Sequence, residues 1–214
     1  MPVNKIDLNS DVGESFGNYK LGMDEDLIPL ISSANIACGF HAGDPAVMRR
    51  TITIARQNGI AIGAHPGFPD LVGFGRRNMD ASLEEIKDYV TYQVGAIQAF
   101  AVAQGMRLQH VKPHGALYNM AVQNPEIWNA VAQAVAALDK NLILFVLAGS
   151  NRSELEAIGA KHGIRIGFEF FGDRAYNSDG SLVSRKEPGA VIHDHQRVAE
   201  KVLKMVTEGK VVCK

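Results

Sequence analysis

Three short segments of this sequence place histidine where a run of apolar or small residues ends. His41 follows SANIACGF, His65 ends IAIGAH, and LQHVKPHG carries His110, Lys112 and His114. Imidazole and ammonium groups, together with carboxylates, can transfer protons, stabilise a developing negative charge or hold a divalent metal ion. The sequence therefore predicts a chemically active site, provided that the fold brings these segments together.

Each segment has the pattern of a β-strand with one apolar side and one polar or small side. In Ser33–Phe40, for example, Ile36 and Cys38 alternate with Asn35 and Ala37. Alternate residues of a strand face opposite sides, so polar residues of one parity share a side. We expect the following side chains to converge on one cavity: Asp7, Asn9, Asp11, Asn35, His41, His65, His110, Lys112, His114 and Glu169. The deep position of His110 favours a hydrogen-bonded structural histidine over a catalytic one.

Two other interpretations of this polar group stay open. The same residues could form a buried polar network that holds the strands in register. Alternatively, His41, His65 and an aspartate could bind a divalent metal, since imidazole and carboxylate suit zinc or manganese. These histidines lie on different strands and form no local metal motif, so the sequence leaves the metal unknown.

The elements that would position these residues alternate between strand and helix. The predicted strands are Lys5–Asn9, Ser33–Phe40, Ile60–His65, Leu108–Lys112, Leu142–Leu147 and Arg165–Phe171. Helical patterns separate or follow them, near residues 24–31, 46–57, 82–103, 126–138, 153–162 and 193–207. Such alternation is typical of a parallel β/α architecture.

The polarity of the strands distinguishes a barrel from an open sheet. Strands buried on both faces of an open sheet are usually apolar throughout, and here only Leu142–Leu147 is. We therefore predict an α/β fold of the (β/α)-barrel type, as a single domain over residues 1–214. Its site is expected at the carboxyl ends of the strands, where such barrels place their chemistry.

Two loops carry further polar residues. Pro66–Met79 is rich in Gly, Pro and Arg and is too long for a simple connection, which predicts a lid or a binding loop. Its Arg76 and Arg77 could hold an anion, although a solvated loop explains them equally well. Asp44, followed by Pro45, has the pattern of a helix start.

Composition argues against several other classes of protein. The chain has 214 residues, 46% of them hydrophobic, and a net charge of −1, which argues against a nucleic-acid partner. No stretch approaches the roughly 20 apolar residues of a membrane span. The first residues lack the apolar core of a signal peptide, and the two cysteines do not form a disulfide pattern. We expect a cytoplasmic protein without membrane or nucleic-acid partners.

Five segments resemble, in order, the motifs of the LamB/YcsF family: DLNSDVGESFG, SANIACGFHAGDP, GAHPGFPDLVGFGRR, VKPHGALYN and EFFGDRAY. The resemblance spans the chain from about Asp7 to Glu208. It implies a barrel of the glycoside hydrolase/deacetylase type. It also implies hydrolysis of the 5-oxo-L-proline lactam to L-glutamate, with ATP as co-substrate and 5-oxoprolinase subunits B and C as partners. A homo-oligomer is a further expectation.

This implied reaction assigns roles to the polar residues. Amide resonance makes a lactam carbonyl a poor electrophile, so hydrolysis needs an activated carbonyl, a base for water and an acid for the leaving nitrogen. We expect Asp11 or His41 to be the base, His114 the acid and Lys112 the partner of an oxyanion or phosphate. Glu169 completes the expected catalytic group by orienting the site.

The expected substrate-binding residues form a larger group around the catalytic one. They are Asp7, Asn9, Glu14, Asn35, Asp44, His65, Arg76, Asp173 and Arg174. Within this group, Asp173 would orient the site and Arg174 would grip a carboxylate or phosphate. Two other functions remain alternatives: a metal-dependent, deacetylase-like hydrolase that works without ATP, and a non-catalytic subunit that binds 5-oxoproline.

The C-terminal end departs from the family pattern. Members of the family continue into a further strand with a His-Gly-Asp motif and a final helix, whereas this sequence ends at Val211–Lys214. We therefore expect a barrel without its final strand and helix.

Overall fold

The computed structural model describes residues 5–149 and 151–213. In this part of the chain, six strands form one sheet in sequence order, and the neighbouring pairs from β1 to β5 run parallel. The strands are β1 (Asn9–Val12), β2 (Ser33–Ala37), β3 (Ala61–His65), β4 (Leu108–Val111), β5 (Ile143–Leu147) and β6 (Arg165–Glu169). Parallel strands in sequential order, with helices between them, confirm the predicted α/β fold of the barrel type.

Helices follow most of the strands. They are α1 (Asp24–Leu27), α2 (Pro45–Gln57), α3 (Leu83–Ala103), α4 (Gly115–Gln123), α5 (Pro125–Leu138), α6 (Arg152–His162) and α7 (His195–Glu208). The sequence pattern does not predict α4, because this helix starts at a glycine and His114 before it makes no side-chain capping bond. Among the residues described, no helix has both the length and the apolar character that crossing a bilayer requires.

The chain divides into two compact units. The larger comprises Asp7–Val146 and Ser153–Gly167, and the smaller comprises Met1–Ile6, Leu147–Arg152 and Phe168–Lys214. Strands β1–β4 and helices α1–α5 lie in the larger unit, and α7 lies in the smaller one. The single domain expected over residues 1–214 stays a prediction.

Strand β1 begins at Asn9, so the prediction that it starts at Lys5 is wrong. Pairing with the next strand starts where the backbone N–H of Ser32 donates to the carbonyl of Leu8 at 2.8 Å. The alternation of Ile6 and Leu8 resembled a half-buried strand, but these side chains are 46% and 50% exposed. The later start places Asp7 before the strand and carries β1 through Asp11.

The start of α2 anchors the loop that carries His41. The carboxylate of Asp44 accepts hydrogen bonds from the backbone N–H groups of Ala46 at 2.8 Å and Val47 at 2.9 Å, and Pro45 occupies the first turn. A side-chain oxygen at this position satisfies N–H groups that have no partner inside the helix. The chain is therefore fixed on both sides of His41, by β2 before it and by the capped helix after it.

Gly63, in the middle of β3, leaves the space that a buried imidazole from β4 fills. Gly63 pairs with Asn35 of β2 on one side and with His110 of β4 on the other. A Cβ atom at this position would lie 2.2 Å from Nε2 of His110. Only glycine is therefore compatible with this packing, and the close approach keeps His110 under the neighbouring strand.

Replacing Gly63 by alanine is predicted to destabilise the protein. Because the methyl group overlaps a fully buried ring, the Gly63→Ala variant should lose about 1–3 kcal/mol of unfolding free energy, measured by urea denaturation. Gly95→Ala, within α3, is the matched control, since its Cβ would meet no atom within 4 Å. That control should keep or raise stability, because alanine favours a helix over glycine. Equal stability of the two variants would contradict the packing described for His110.

Candidate active site

A buried ammonium group follows the carboxyl end of β4 and contacts side chains of β1 in the larger unit. Nζ of Lys112 donates to Oδ1 of Asp11 at 3.1 Å and to Oδ1 of Asn9 at 3.3 Å. Nδ2 of Asn35 donates to the same two oxygens, at 2.8 and 2.7 Å. The side chain of Lys112 is only 6% exposed, so these contacts compensate its removal from water. The predicted meeting of residues from β1, β2 and β4 is therefore present in the structure.

Asp11 is the accessible carboxylate of this group. Burial by itself would raise the pKa of Asp11, but the charges of His65 and Lys112 and the hydrogen bonds from His65 and Asn35 outweigh it and hold that pKa well below its usual value. The side chain is 36% exposed, in contrast to its partner Lys112. Asp11 is therefore an ionised acceptor that a molecule from solution can reach.

Three histidines pack against one another beside Asp11. His41, His65 and His114 are 0%, 1% and 4% exposed. The rings of His41 and His114 stack in parallel with their centroids 3.6 Å apart, and the ring of His65 meets both edge-on. Nε2 of His65 lies 2.9 Å from Nδ1 of His114 and 3.4 Å from Oδ2 of Asp11.

Glu14 completes this group, which we call the histidine cluster: Glu14, His41, His65 and His114. Oε1 of Glu14 lies 3.3 Å from Nε2 of His41 and 3.8 Å from Nδ1 of His114. One ligand atom from each of the four residues lies within 4.8 Å of all the others, so the cluster could hold a metal ion. The sequence pointed to an aspartate as the carboxylate of such a site, whereas the structure gathers Glu14 with the histidines.

Burial determines the charge states in the histidine cluster. It raises the pKa of Glu14 to about 7. Burial, followed by repulsion from His65, lowers the pKa of His114 to about 2, and the same two causes lower the pKa of His41 well below its usual value. His41 and His114 are therefore neutral near pH 7, and each offers a nitrogen lone pair.

His110 lies below this group, as the sequence predicts for a structural histidine. Its Nε2 N–H donates to Oδ1 of Asn35 at 2.7 Å, and its ring stacks on Phe145 with the centroids 4.4 Å apart. Burial, together with the charge of Lys112, lowers its pKa to about 3. The neutral ring orients Asn35, which in turn holds Asp11.

Three predicted binding residues of the larger unit have contacts that favour other roles. Asp7 is exposed and accepts a hydrogen bond from the hydroxyl of Ser33 at 2.7 Å. The oxygens of Asp44 are occupied by backbone N–H groups, including that of Gly17 at 2.8 Å, so this residue caps α2. The guanidinium of Arg76 lies 4.9 Å from the centre of the Phe74 ring.

The loop Pro66–Met79 closes over the histidines. Gln93 of α3 holds its first part, donating to the carbonyl of Gly67 and accepting from its N–H, each at 2.9 Å. The carbonyl of Phe74 accepts a hydrogen bond from Nε2 of His114 at 2.9 Å. Gly75 has a positive φ of 64°, and a Cβ there would lie 2.7 Å from Cβ of His41. Sequence reasoning missed Gln93 and Phe74; a polar residue on the apolar side of α3 was the available signal.

The second half of this loop is held by an ion pair. Asp70 accepts a short hydrogen bond from the guanidinium of Arg77, and a further one at 2.9 Å from its Nε. The same carboxylate accepts from the N–H of Gly73 at 2.9 Å. With Arg77 bound to Asp70 and Arg76 placed over a ring, the contacts do not support an anion held by both arginines.

The remaining predicted site residues, Glu169, Asp173 and Arg174, belong to the smaller unit. Arg174 is buried and donates to the carbonyls of Val183 at 2.6 Å and Ala190 at 3.3 Å. Glu169 is buried, and its backbone carbonyl accepts a hydrogen bond from the N–H of Ala148 at 2.8 Å. The two carbonyl contacts of Arg174 favour a role in holding the chain of this unit together.

Comparisons with known proteins give a consistent result. The model of the LamB/YcsF family matches residues 6–214. The 5-oxoprolinase A subunit of Pyrococcus abyssi is 55% identical over 207 residues, which cover 97% of this chain and 80% of that protein. The 5-oxoprolinase A subunit of Alkaliphilus metalliredigens is 56% identical over 207 residues, which again cover 97% of this chain and 80% of that protein. The crystal structure of a lactam utilization protein from Thermus thermophilus has a TM-score of 0.91 at 49% identity, covering 98% of this chain and 83% of that one.

The buried, neutral state of His110 predicts an acid-dependent loss of stability. The unfolded chain binds a proton at this histidine below about pH 6.5, and the folded protein does so only near pH 3, so unfolding takes up a proton between these values. The unfolding free energy should fall toward low pH, with this residue contributing up to about 1.4 kcal/mol per pH unit. Urea denaturation between pH 4 and pH 7 should show a smaller slope for His110→Gln than for the parent. The exposed His193→Gln variant controls for the substitution, and a parent-like slope in His110→Gln would contradict the assignment.

Proposed function

The chain belongs to the LamB/YcsF family, and on that premise we propose that it is the A subunit of an ATP-dependent 5-oxoprolinase. It would act with subunits B and C to hydrolyse 5-oxo-L-proline to L-glutamate, with ATP as co-substrate. The names of its relatives, each a 5-oxoprolinase A subunit, support the general role. The observation that carries the chemical part of the proposal is the pair formed by the ionised, accessible Asp11 and the buried Lys112.

The reaction needs the carbonyl carbon of the lactam to become electrophilic. Transfer of the terminal phosphoryl group of ATP to the carbonyl oxygen releases ADP and weakens the amide resonance. Water then adds to the carbon, its proton passes to a base, and the ring C–N bond breaks as the nitrogen gains a proton. A second water cleaves the resulting acyl phosphate, which gives glutamate and inorganic phosphate. These reaction steps require a base near the carbonyl carbon and a cation near the carbonyl oxygen.

Asp11 fits the role of the base better than His41, the other predicted candidate. The carboxylate of Asp11 is ionised and partly exposed, whereas the ring of His41 is fully buried. A carboxylate whose negative charge is stabilised by Lys112 can orient a water molecule and receive its proton as the bond to carbon forms. Asp11 therefore takes the role of the base in the proposal.

Lys112 supplies the positive charge beside this carboxylate. Its ammonium is held by Asp11 and Asn9, so its position is set before a substrate arrives. A fixed charge in a site from which water is largely excluded stabilises an oxyanion or a phosphoryl group more than a mobile one does. His114, predicted as the acid, directs its Nε2 N–H to the carbonyl of Phe74, which favours a positioning role for this ring.

Replacement of either charged residue is predicted to abolish most of the activity. Asp11→Asn and Lys112→Met, each combined with subunits B and C, should release glutamate from 5-oxoproline about 100-fold more slowly than the parent or slower still, as expected for loss of a general base or of a fixed charge. Asp88→Asn, on the exposed side of α3, is the matched control and should keep parental turnover.

The outcome separates this proposal from the non-catalytic alternative. If both variants fold and keep near-normal turnover, the assignment of the chemistry to these residues is wrong. If both bind 5-oxoproline less tightly while turnover at saturating substrate is unchanged, the chain is a non-catalytic substrate-binding subunit. Circular dichroism and 5-oxoproline titration calorimetry supply the two readouts that distinguish these results.

A further inference from the structure

Two buried imidazoles of the histidine cluster direct a ring nitrogen at each other. Nδ1 of His65 lies 2.6 Å from the carbonyl of Lys112, and Nε2 of His114 lies 2.9 Å from the carbonyl of Phe74. A carbonyl oxygen only accepts, so both of these nitrogens carry the ring proton. Whenever both rings are neutral, the remaining nitrogens, Nε2 of His65 and Nδ1 of His114, are therefore both acceptors, and they are 2.9 Å apart.

The other groups around this pair are two carboxyl groups and a third imidazole. Oδ2 of Asp11 lies 3.4 Å from Nε2 of His65, and Oε1 of Glu14 lies 3.8 Å from Nδ1 of His114. Nδ1 of His41 is buried and has no hydrogen-bond partner among the described residues. Electron pairs that converge on buried imidazoles repel one another unless a proton or a metal ion lies between them.

The spacing of these donors distinguishes a metal ion from a shared proton. A proton can bridge only one pair of atoms, whereas one atom from each of the four cluster residues lies within 4.8 Å of the others. Ligands about 2.0–2.1 Å from a tetrahedral metal lie roughly 3.3 Å from each other. Three of the six ligand pairs lie close to this value: His65 and His114 at 2.9 Å, His41 and Glu14 at 3.3 Å, and His114 and Glu14 at 3.8 Å.

We propose that Glu14, His41, His65 and His114 form a binding site for a divalent transition-metal ion, with zinc the best match. Three imidazole nitrogens and one carboxylate oxygen suit zinc, and manganese, iron and cobalt less closely. Since the rings of His41 and His114 stack in parallel, the ring of His41 would turn on binding so that both lone pairs meet the ion. The carbonyls of Lys112 and Phe74 fix two of the rings through their second nitrogens, as residues around metal-bound histidines commonly do. Because four protein ligands fill a tetrahedral coordination sphere, a bound ion would hold the three rings in place rather than contact a substrate.

This site does not depend on the proposed lactam hydrolysis, and its test needs no activity assay. The full chain is treated with EDTA, exchanged into chelator-free buffer at about pH 7.5 and incubated with ZnCl2 or CoCl2. Elemental analysis after gel filtration should find about one metal per chain. The cobalt-loaded protein should show the intense visible absorption of a tetrahedral N/O site. Binding of zinc should also raise the midpoint of thermal unfolding, since a ligand of the folded state stabilises it.

Variants test whether the metal lies in the histidine cluster. Glu14→Gln and His41→Asn should each weaken zinc binding at least about tenfold, measured by competition with a fluorescent chelator. His193→Asn, which removes an exposed histidine outside the cluster, should bind zinc as the parent does. Equal weakening in that control would indicate binding at surface histidines and would overturn the proposal.

The parent chain keeps the proposal falsifiable even if a variant does not fold. If the EDTA-treated parent takes up no zinc or cobalt, or shows only octahedral cobalt absorption, the four residues do not form this site. A proton shared between His65 and His114 would then explain their close approach. Metal uptake without any glutamate release would support the site and count only against the proposed reaction.

Discussion

The structure of the larger unit depends on keeping the ammonium of Lys112 out of water without leaving it unpaired. A buried ion pair that loses one partner costs about 3–5 kcal/mol, so the residues around such a charge must be positioned accurately. Here, the partners come from β1, and Asn35 of β2 fixes them from the other side. Sequential parallel pairing of β1 to β4 is the arrangement that brings these side chains to one edge of the sheet. The polar group and the strand order therefore stabilise each other.

Lys112 also links this ion pair to the histidine cluster. Its side chain binds Asp11, while its backbone carbonyl accepts the ring N–H of His65. Any shift of the end of β4 would therefore alter the position of the ammonium and the orientation of the imidazole together. The two parts of the site are therefore coupled. A backbone carbonyl determines which nitrogen of His65 carries a proton, and side-chain contacts keep the carboxylate of Asp11 ionised.

Much of this arrangement could be predicted from the sequence, and the failures have physical causes. Strand parity correctly placed Asn35, His65 and His110 on one side, because period-two alternation is a direct property of a strand. Parity could not reveal that Asp44 would bind backbone N–H groups at the start of α2, although its capping pattern indicated this separately. A carboxylate that caps a helix and one that binds a substrate look alike in a sequence.

Long-range contacts account for the other differences. Glu14 lies in the loop after β1, and only the chain path between β1 and α1 brings it to His41 and His114. Likewise, no local pattern shows that Arg77 binds Asp70, because the pairing depends on the conformation of the loop itself. The sequence thus indicates which residue types gather at the strand ends, whereas the partner of each is determined by loops that have no periodic pattern.

The anchoring of the loop Pro66–Met79 has a consequence for how molecules enter and leave. Gln93 binds the first part of the loop, Asp70 binds Arg77 in its second part, and His114 binds the carbonyl of Phe74. The loop therefore forms a fixed cover over the imidazoles. Opening the loop would break these three contacts together. Molecules should instead approach the imidazoles beside Asp11, whose side chain is still open to water. The carboxylate of Asp11 would then be the first charged group of the site that such a molecule contacts.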